Sequence, residues 1–379
     1  MTRLFLSAGD LSGDYHCSLL VREVLKRHPD WQISALGGAK IREGGAQMLG
    51  DTGELGVIGF ASALAILPQT LRLRRRALSW LEKYRPDAAI LCDWGGFNAR
   101  LLPDFKRLNI PVLYYFPPRS WQKTGAGGLS IAPLCATIAT PFEWSARRLN
   151  EVGGHAHWVG HPLLETAHES APRDAIRAEL RVKEEQKLIA LLPGSRGLER
   201  KYIAPHVAGA VEILKKRFDA RFCVAATAGT ASQLRKIFGP DVSVLENRTF
   251  DLLHACDAAI VKSGTSTLEA AVAWAPQVVV YEVPALIHAQ VKLTGLRRKI
   301  PFVAMPNIIL GRGAVPELLA ENCRALKIAD ALAHLLENGE ETARMHADYA
   351  LVRDALGAQL PYTATHRTAD LVEEMVSSR

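Results

Sequence analysis

Buried strand-like runs alternate with helix-like stretches along this chain, and the alternation occurs in two successive series. The first series contains the apolar runs RLFLSA, WQISALGG, AAILCD, PVLYYFPP and ATIATP. The second contains KLIALLPGSR, RFCVAAT, VSVLE, AAIVKSG and PQVVVYEV. Strands that alternate with helices form parallel sheets covered on both faces. The sequence therefore predicts an α/β fold with two Rossmann-like parallel-sheet domains, the GT-B architecture, facing each other across a cleft at the carboxyl ends of the strands.

A polar segment, TAHESAPRDAIRAELRVKEEQ, separates the two series and marks the predicted domain boundary. We place an N-terminal domain at residues 1–167 and a C-terminal domain at residues 168–355. Residues 356–379 are predicted to contain a final helix that packs back on the N-terminal domain. The total of 379 residues suits two domains of ordinary size.

Composition restricts the class of protein. Apolar residues make up 48% of the chain and charged residues 22%, as in folded soluble proteins. The first residues, MTRLFLSAGD, lack the long apolar core of a secretory signal, so we expect a cytoplasmic location. The six scattered cysteines form no CxxC pair, which predicts reduced thiols and neither a zinc site nor a disulfide framework.

The net charge of +7 favours an anionic partner, namely nucleic acid, an anionic membrane or a phosphorylated substrate. Basic clusters occur at 72–76, 215–217 and 297–299, but no nucleic-acid-binding motif accompanies them, so we predict no nucleic-acid partner.

The first cluster lies in a segment, residues 61–84, that has leucines near helical spacing and Pro68 as the predicted start or break of a helix. The leucines are Leu64, Leu67, Leu71, Leu78 and Leu81. The segment fits an interfacial contact with anionic lipid, and it fits equally a core-facing helix with solvated arginines.

The segment VKSGTSTLE predicts an anion site in the second domain. Ser263, Gly264 and Thr265 follow a buried strand and fall at the expected start of a helix, where backbone N–H groups and the helix dipole favour an anion. Glu269 lies one turn further along the same helix face, within reach of ribose hydroxyls. Ordinary helix capping explains the same residue types.

Two further segments complete the predicted nucleotide-diphosphate site. LLPGSR supplies Ser195 and Arg196 at another strand end. PNIILGRG is predicted as a loop over 306–311 before a helix, with Asn307 facing a base or phosphate and Arg312 facing a diphosphate. An ordinary loop is the alternative for this segment. The chain contains neither GxxxxGK[ST] nor GxGxxG, which disfavours a P-loop ATPase and an NAD enzyme.

The motifs AGDLSGD, GVIGF, CDWGGFN, VGHPLLE, LPGSR, SGTSTLEAAV and MPNIILGR occur in this order, and with them the chain resembles the lipid-A-disaccharide synthase family. The resemblance implies a GT-B glycosyltransferase on the inner face of the cytoplasmic membrane. It would move an acylated glucosamine from UDP to an acylated glucosamine 1-phosphate, form a β-1′,6 link and release UDP. The implied reaction is inverting and needs no metal or other cofactor. The implied partners are the UDP-sugar, the lipid-linked acceptor and an anionic membrane surface, and a homodimer stays open.

The resemblance also assigns residues. Asp93, at the end of the strand AAILCD, matches the family's candidate general base, the carboxylate that takes the acceptor proton; a capping aspartate is the alternative. The matching donor-binding residues are Ser195, Arg196, Ser263, Gly264, Thr265, Glu269, Asn307 and Arg312. The predicted acceptor-side residues are Asp10, Ser12, Gly13 and Asn98. Asp14 lies in the same loop as Asp10, and for Asp14 capping of the next helix is the alternative to an acceptor-side role.

Three departures from the family pattern fall in the N-terminal half. Asp10 stands where the family has Glu, Gly96 stands where the family has a second acid, and the segment PPRSWQKTGAGG lacks the family's paired arginines. The donor half therefore matches better than the acceptor half. Three alternatives stay open: transfer to another lipid acceptor, a UDP-sugar epimerase, and a non-catalytic relative that binds lipid or nucleotide.

Overall fold

The computed structural model describes residues 1–52, 60–124, 127–282 and 301–378, with the side chains of 60–66 left undescribed. The chain divides into two compact units, Met1–Pro162 together with Leu356–Arg379, and Leu163–Ala355. Residues 56–59 of the GVIGF motif and the basic cluster at 297–299 lie outside the described residues.

The first unit is built on a parallel sheet whose described strands run in the order β3-β2-β1-β4-β5-β6-β7. The strands are β1 (Arg3–Ala8), β2 (Gln32–Gly37), β3 (Gln47–Asp51), β4 (Ala88–Cys92), β5 (Val112–Tyr115), β6 (Thr137–Thr140) and β7 (Ala156–Trp158). The helices between them are α1 (Leu11–Arg27), α2 (Ala39–Glu43), α3 (Phe60–Tyr84), α4 (Gly95–Asn98), α5 (Leu102–Arg107) and α6 (Glu143–Glu151), with a 3₁₀ turn at Leu129–Leu134. Every residue of β4 is buried, because helices cover both faces of a parallel sheet.

The C-terminal segment belongs to this first unit. Its last helix, Ala364–Ser377, buries Leu371 and Val372 in the same core as α1 and the sheet. Arg27 near the end of α1 donates to Asp370 at 2.7 Å and to Glu373 at 3.3 Å. The apolar face and this ion-pair network together attach the end of the chain to the first sheet.

The second unit repeats the plan with described strands in the order β10-β9-β8-β11-β12-β13, all parallel. The strands are β8 (Lys187–Leu192), β9 (Ala220–Ala226), β10 (Ser243–Glu246), β11 (Ala258–Lys262), β12 (Gln277–Tyr281) and β13 (Glu317–Leu319). The helices are α7 (Leu163–His168), α8 (Arg173–Glu179), α9 (Gly197–Leu214), α10 (Ala231–Phe238), α11 (Thr249–Ala255), α12 (Thr265–Val272), α13 (Met305–Leu310), α14 (Ala325–Glu337) and α15 (Gly339–Ala355), and the final helix of the first unit is α16. A 3₁₀ turn lies at Ala320–Asn322. The prediction of two Rossmann-like parallel-sheet domains is confirmed.

The prediction for Pro68 was wrong. Pro68 lies inside α3 and neither starts nor ends it. A proline removes one backbone hydrogen bond, and a helix of 25 residues retains enough others to continue through it. Leu73, Ala77 and Leu81 along α3 are buried in the core and hold the helix on the sheet.

Two absences concern the described part of the chain only. None of its helices combines the length and apolar character required to cross a bilayer. The six cysteines form no disulfide bonds, and all are buried.

Candidate functional site

Two strand-to-helix loops of the second unit lie side by side. β8 and β11 are adjacent parallel strands, and each is followed within a few residues by a helix, α9 and α12 respectively. Because the carboxyl ends of parallel strands lie at one edge of a sheet, the two helix N-termini are brought to the same place. A buried ion pair confirms this arrangement, since Lys262 Nζ at the end of β11 lies 2.8 Å from Glu199 Oε1 in the first turn of α9.

The loop before α12 has the conformation that the sequence predicts for an anion site. Gly264 is the N-cap residue with φ +134°, a backbone conformation that strongly favours glycine. Thr265 is the first helical residue. Ser263 is engaged within the fold, because its Oγ donates to the carbonyl of Val303 at 2.9 Å. The backbone of this loop, more than the serine hydroxyl, is therefore the part that can meet an anion.

The loop before α9 carries positive charge. Arg196 is the N-cap residue, and its backbone N–H and its guanidinium both lie 3.3 Å from the carboxylate of Glu199. The buried Arg200 donates to the carbonyl of Ser195 and to Gln233 Oε1. The loop conformation is thus fixed by side chains of its own helix, which leaves the Arg196 guanidinium partly exposed to solvent.

Glu269 differs from its neighbours in having no hydrogen bond or ion pair from its side chain among the described residues. Burial raises the pKa of this carboxyl to about 7, and the nearby Lys262 opposes the rise. A carboxylate that is partly accessible to water and lacks a protein partner is suited to accept hydrogen bonds from a ligand.

The segment around Asn307 differs from its prediction. Met305–Leu310 is a short helix, with Pro306 in its first turn and Gly311 as its C-cap, and Glu317–Leu319 is a strand. The prediction of a loop at 306–311 followed by a helix was therefore wrong. Proline is favoured in the first turn of a helix, and the glycine that follows ends one, so the two residues mark a helix between them.

The side chains of Asn307 and Arg312 are engaged within the second unit. The Asn307 amide is buried and bonds the carbonyl of Val315, the Glu317 carboxylate and the backbone N–H groups of Ala314 and Val315 at 2.7 to 2.9 Å. Arg312 forms a bidentate pair with Asp348 at 2.8 and 2.5 Å. In this structure Asn307 therefore braces the turn that follows its helix, and the Arg312 guanidinium already has a carboxylate partner.

In the first unit, Asp93 follows β4 directly and has a left-handed backbone with φ +41°. Its backbone N–H donates to the carbonyls of Tyr115 and Phe116, and its own carbonyl accepts from the Tyr114 hydroxyl at 2.7 Å. The carboxylate is accessible to water, yet the surrounding protein and the charge of Asp10 raise its pKa to about 6. The backbone is held firmly while the carboxylate stays open to a ligand.

The predicted acceptor-side residue Asn98 lies beneath Asp93 and is fully buried. Its Oδ1 accepts from the Ser7 hydroxyl at 2.7 Å, and its Nδ2 donates to the carbonyls of Cys92 and Asp93 at 3.1 Å. Asn98 thus ties the ends of β1 and β4 together, so it supports the Asp93 loop and is itself shielded from solvent.

Both aspartates of the segment SAGDLSGD, Asp10 and Asp14, cap helices. Asp10 is the N-cap of α1, and its carboxylate accepts from the N–H of Gly13 at 2.7 Å. The Asp14 carboxylate is buried and accepts from the N–H groups of Gly38, Lys40 and Ile41, so it caps α2. Ser12 in the first turn of α1 is partly exposed, whereas Gly13 is buried.

Sequence reasoning missed an aromatic arrangement around Asp93. The indole of Trp94 packs over Gly9, where no Cβ would fit, and stacks on Phe97 with ring centroids 3.9 Å apart. His16 stacks on Phe116 at 5.0 Å and meets His161 edge-on, and burial lowers the pKa of His16 to about 4. The contacts of His16 join residues that are far apart along the chain, which gives a weak sequence signal, whereas Trp94 and Phe97 are three positions apart in one short segment.

It also missed the pair of Glu199 and Lys262 in the second unit, although here a signal was present. A lysine ends the otherwise apolar run AAIVK immediately before SGT. No group of three or more His, Cys, Asp or Glu side chains suited to a metal ion occurs among the described residues.

Comparison with known proteins adds to this geometry. The family described as Lipid-A-disaccharide synthetase matches residues 4–369. The chain is 34% identical over 373 residues to a lipid-A-disaccharide synthase of Gloeothece citriformis, covering 94% of this chain and 96% of that protein. It is 33% identical over 354 residues to the one of Neisseria meningitidis serogroup C, covering 91% of each. Among solved structures, S. aureus MnaA in a co-structure with UDP has a similar fold, with a TM-score of 0.68 at 12% identity over 100% of this chain and 97% of that one.

Proposed function

Because this chain belongs to the lipid-A-disaccharide synthase family, we propose that it works by an inverting, metal-independent displacement with Asp93 as the general base. The family makes it a glycosyltransferase with a UDP-sugar donor and a lipid-linked acceptor. Its reaction moves an acylated glucosamine from UDP to an acylated glucosamine 1-phosphate through a β-1′,6 link and releases UDP. The observation that carries the proposed mechanism is the accessible Asp93 carboxylate on a firmly held loop.

An inverting transfer requires one base on the acceptor side. The acceptor hydroxyl attacks the anomeric carbon as the bond to UDP breaks, and its proton passes to a carboxylate. A pKa of about 6 leaves Asp93 mostly ionised at neutral pH while making it a stronger base than an ordinary aspartate. In this role Asn98 and the Tyr114 hydroxyl fix the backbone of Asp93, and Asp10 raises its basicity.

For the donor, we propose that the loops of Ser195–Arg196 and Ser263–Gly264–Thr265 hold the diphosphate of UDP and that Glu269 accepts from the ribose hydroxyls. The two helix N-termini and the partly exposed Arg196 support this role. A protein of the same fold, S. aureus MnaA, has a structure with UDP. Asn307 acts indirectly in this proposal, by stabilising the turn after α13. Arg312 would have to break its ion pair with Asp348 in order to contact the diphosphate.

Metal independence follows, in this proposal, from cationic side chains at the leaving group. Arg196 is the N-cap of α9, Arg200 lies in the first turn of α9 and Lys262 ends β11, so all three adjoin the two loops that would hold the diphosphate. Positive groups that are held where negative charge develops stabilise a departing diphosphate, as a metal ion does in other enzymes. We therefore expect full activity in the presence of a chelator.

We further propose that α3 contacts an anionic membrane surface. Leu67 and Leu71 are exposed one turn apart, and Arg72, Arg75 and Arg76 are exposed beside them. An exposed apolar pair next to several arginines is typical of helices that lie in the lipid interface. Sedimentation with anionic and neutral vesicles at low and high salt tests this. Salt-sensitive binding to anionic vesicles alone is expected, and equal binding to both vesicle types would contradict it. The homodimer stays open, and sedimentation equilibrium measures the oligomeric state.

The decisive experiment measures UDP release from UDP-2,3-diacylglucosamine with and without 2,3-diacylglucosamine 1-phosphate, each with and without EDTA. We expect release that needs the acceptor and is unaffected by EDTA. Interconversion of the UDP-sugar without acceptor would instead indicate an epimerase. UDP binding without any turnover would indicate a non-catalytic relative, and turnover lost with EDTA would contradict metal independence.

A further inference from the structure

Lys262 is the last residue of β11 and is nine-tenths buried. Its ammonium pairs with Glu199 at 2.8 Å, and Glu199 is also buried. A buried ion pair is costly to form, because both charges lose their hydration. The pair lies between the two loops proposed to hold a diphosphate. A contribution to stability therefore does not by itself explain why it is there.

The position of the cation is also electrostatically unfavourable. A Cβ on Gly264 would lie 3.0 Å from Lys262 Nζ, so the ammonium is packed against the N-cap of α12. The N-terminus of a helix carries a partial positive charge, and cations are favoured at the opposite end. The ammonium also lies near the first turn of α9, where Glu199 is placed.

Positive charge exceeds negative charge in this cluster. Arg196 and Lys262 share the single carboxylate of Glu199, at 3.3 and 2.8 Å. Among the described residues, the buried Arg200 contacts a carbonyl and an amide oxygen and no carboxylate. Glu269 also interacts with Lys262, and its raised pKa of about 7 leaves it only partly ionised at neutral pH. An anion of more than one charge would balance the cluster, and a single carboxylate does not.

We propose that Lys262 is a positioning residue of the donor site, holding positive charge beneath the Gly264 loop so that a nucleoside diphosphate binds there and leaves from there. The inference rests on the proposed function. Lys262 acts through the loop and through Glu199, because its ammonium is shielded from solvent. Glu199 holds the ammonium at the junction of β11 and α12 while it also caps α9, so one carboxylate sets the position of both loops.

The test compares UDP with uridine, which lacks the diphosphate. Lys262→Met keeps an unbranched side chain one atom shorter than lysine and removes its charge. We expect the affinity for UDP to fall about tenfold while the affinity for uridine stays unchanged, because only the diphosphate senses the missing charge. The matched control is Lys215→Met, which removes a lysine paired with Glu212 at 2.9 Å elsewhere in the same unit. It should leave both affinities unchanged.

A second variant keeps the test decisive if Glu199, left unpaired and buried, prevents Lys262→Met from folding. Lys262→Gln removes the positive charge and retains an amide N–H that can donate to the Glu199 carboxylate in place of the ammonium. It too should lose the preference for UDP over uridine.

The outcomes separate the two proposals. Equal losses for UDP and uridine would mean that Lys262 only supports the fold, and unchanged UDP binding would mean that its charge has no role; either result overturns the inference and leaves the proposed function standing. A wild-type protein that does not bind UDP would overturn both.

Discussion

The loops at the carboxyl ends of the two sheets use their polar residues differently. In the second unit, Glu269 has no side-chain partner among the described residues, and the loop at Gly264 offers its backbone. In the first unit, the side-chain amide of Asn98 forms hydrogen bonds with the ends of β1 and β4, and Asp10 and Asp14 cap helices. The residue types in the two sets of loops are alike. The difference shows that burial and partner, more than residue type, decide whether a polar side chain at a strand end meets a ligand or supports the fold.

The two regions also differ in charge, and the difference matches their proposed chemistry. Burial by the surrounding protein, and then the negative charge of Asp10, raise the pKa of Asp93. Arg196, Arg200 and Lys262 bring three cations to the loops of the second unit. A base gains from a negative neighbour and a leaving diphosphate gains from positive ones. Substitutions that affect catalysis, stability or ligand binding separately test this difference between the two units most directly.

The largest effect is expected for Asp93→Asn. Loss of a general base costs about 10²- to 10⁴-fold in rate, so acceptor-dependent UDP release should fall by roughly a thousandfold. The affinity for UDP should be unchanged, because Asp93 belongs to the first unit and the proposed diphosphate loops belong to the second. Kinetics of UDP release and calorimetric titration with UDP measure the two quantities. Asp30→Asn, at an exposed aspartate of the same unit, is the control. A variant that keeps its full rate would remove Asp93 from the mechanism.

The same carboxylate predicts a pH dependence. Only the ionised form of Asp93 accepts a proton, and its pKa is raised to about 6. With donor and acceptor both saturating, the rate should therefore fall as the pH drops through about 6 and level off above pH 7. Saturating donor removes any contribution from donor binding. A rate that is flat between pH 5 and 8 would argue against a base with this pKa.

A smaller effect, on stability, is expected for Asn98→Ala. The substitution removes the buried acceptor of the Ser7 hydroxyl and the amide donor to the carbonyls of Cys92 and Asp93, of which the Asp93 carbonyl keeps its bond from the Tyr114 hydroxyl. Each unsatisfied buried group costs about 1–3 kcal/mol, so the free energy of unfolding should drop by about 3 kcal/mol. Urea unfolding of the variant beside Asp30→Ala measures the difference. A change within 0.5 kcal/mol, about that of an ordinary surface substitution, would show that the amide network is dispensable.

Sequence reasoning recovered the elements better than the contacts. The alternation of apolar runs predicted both sheets, and the strand-to-helix placement of Asp93, Arg196 and Gly264 is as expected, because these depend on local pattern. The pairing of Lys262 with Glu199 joins residues 63 positions apart, and it depends on which strands are neighbours. The residues at 306–311 were misassigned because proline and glycine mark helix ends as well as loops.

The smallest effect concerns Glu269, the one predicted donor residue whose carboxylate has no partner among the described residues. Glu269→Gln keeps the side-chain shape but weakens the acceptor, so uridine should bind about tenfold more weakly. In the unmodified protein the pKa is raised to about 7, above the ordinary 4.5, so the carboxyl becomes the stronger, charged acceptor for ribose hydroxyls only when it loses its proton. Uridine affinity should therefore rise as the pH goes from 6 to 8 and then level off, and the Gln variant should show no such rise. Calorimetric titration at several pH values checks this. A pH-independent affinity in the unmodified protein would mean that the ribose is held by other groups, and the difference between the loops of the two units would then rest on the Gly264 backbone and the cations alone.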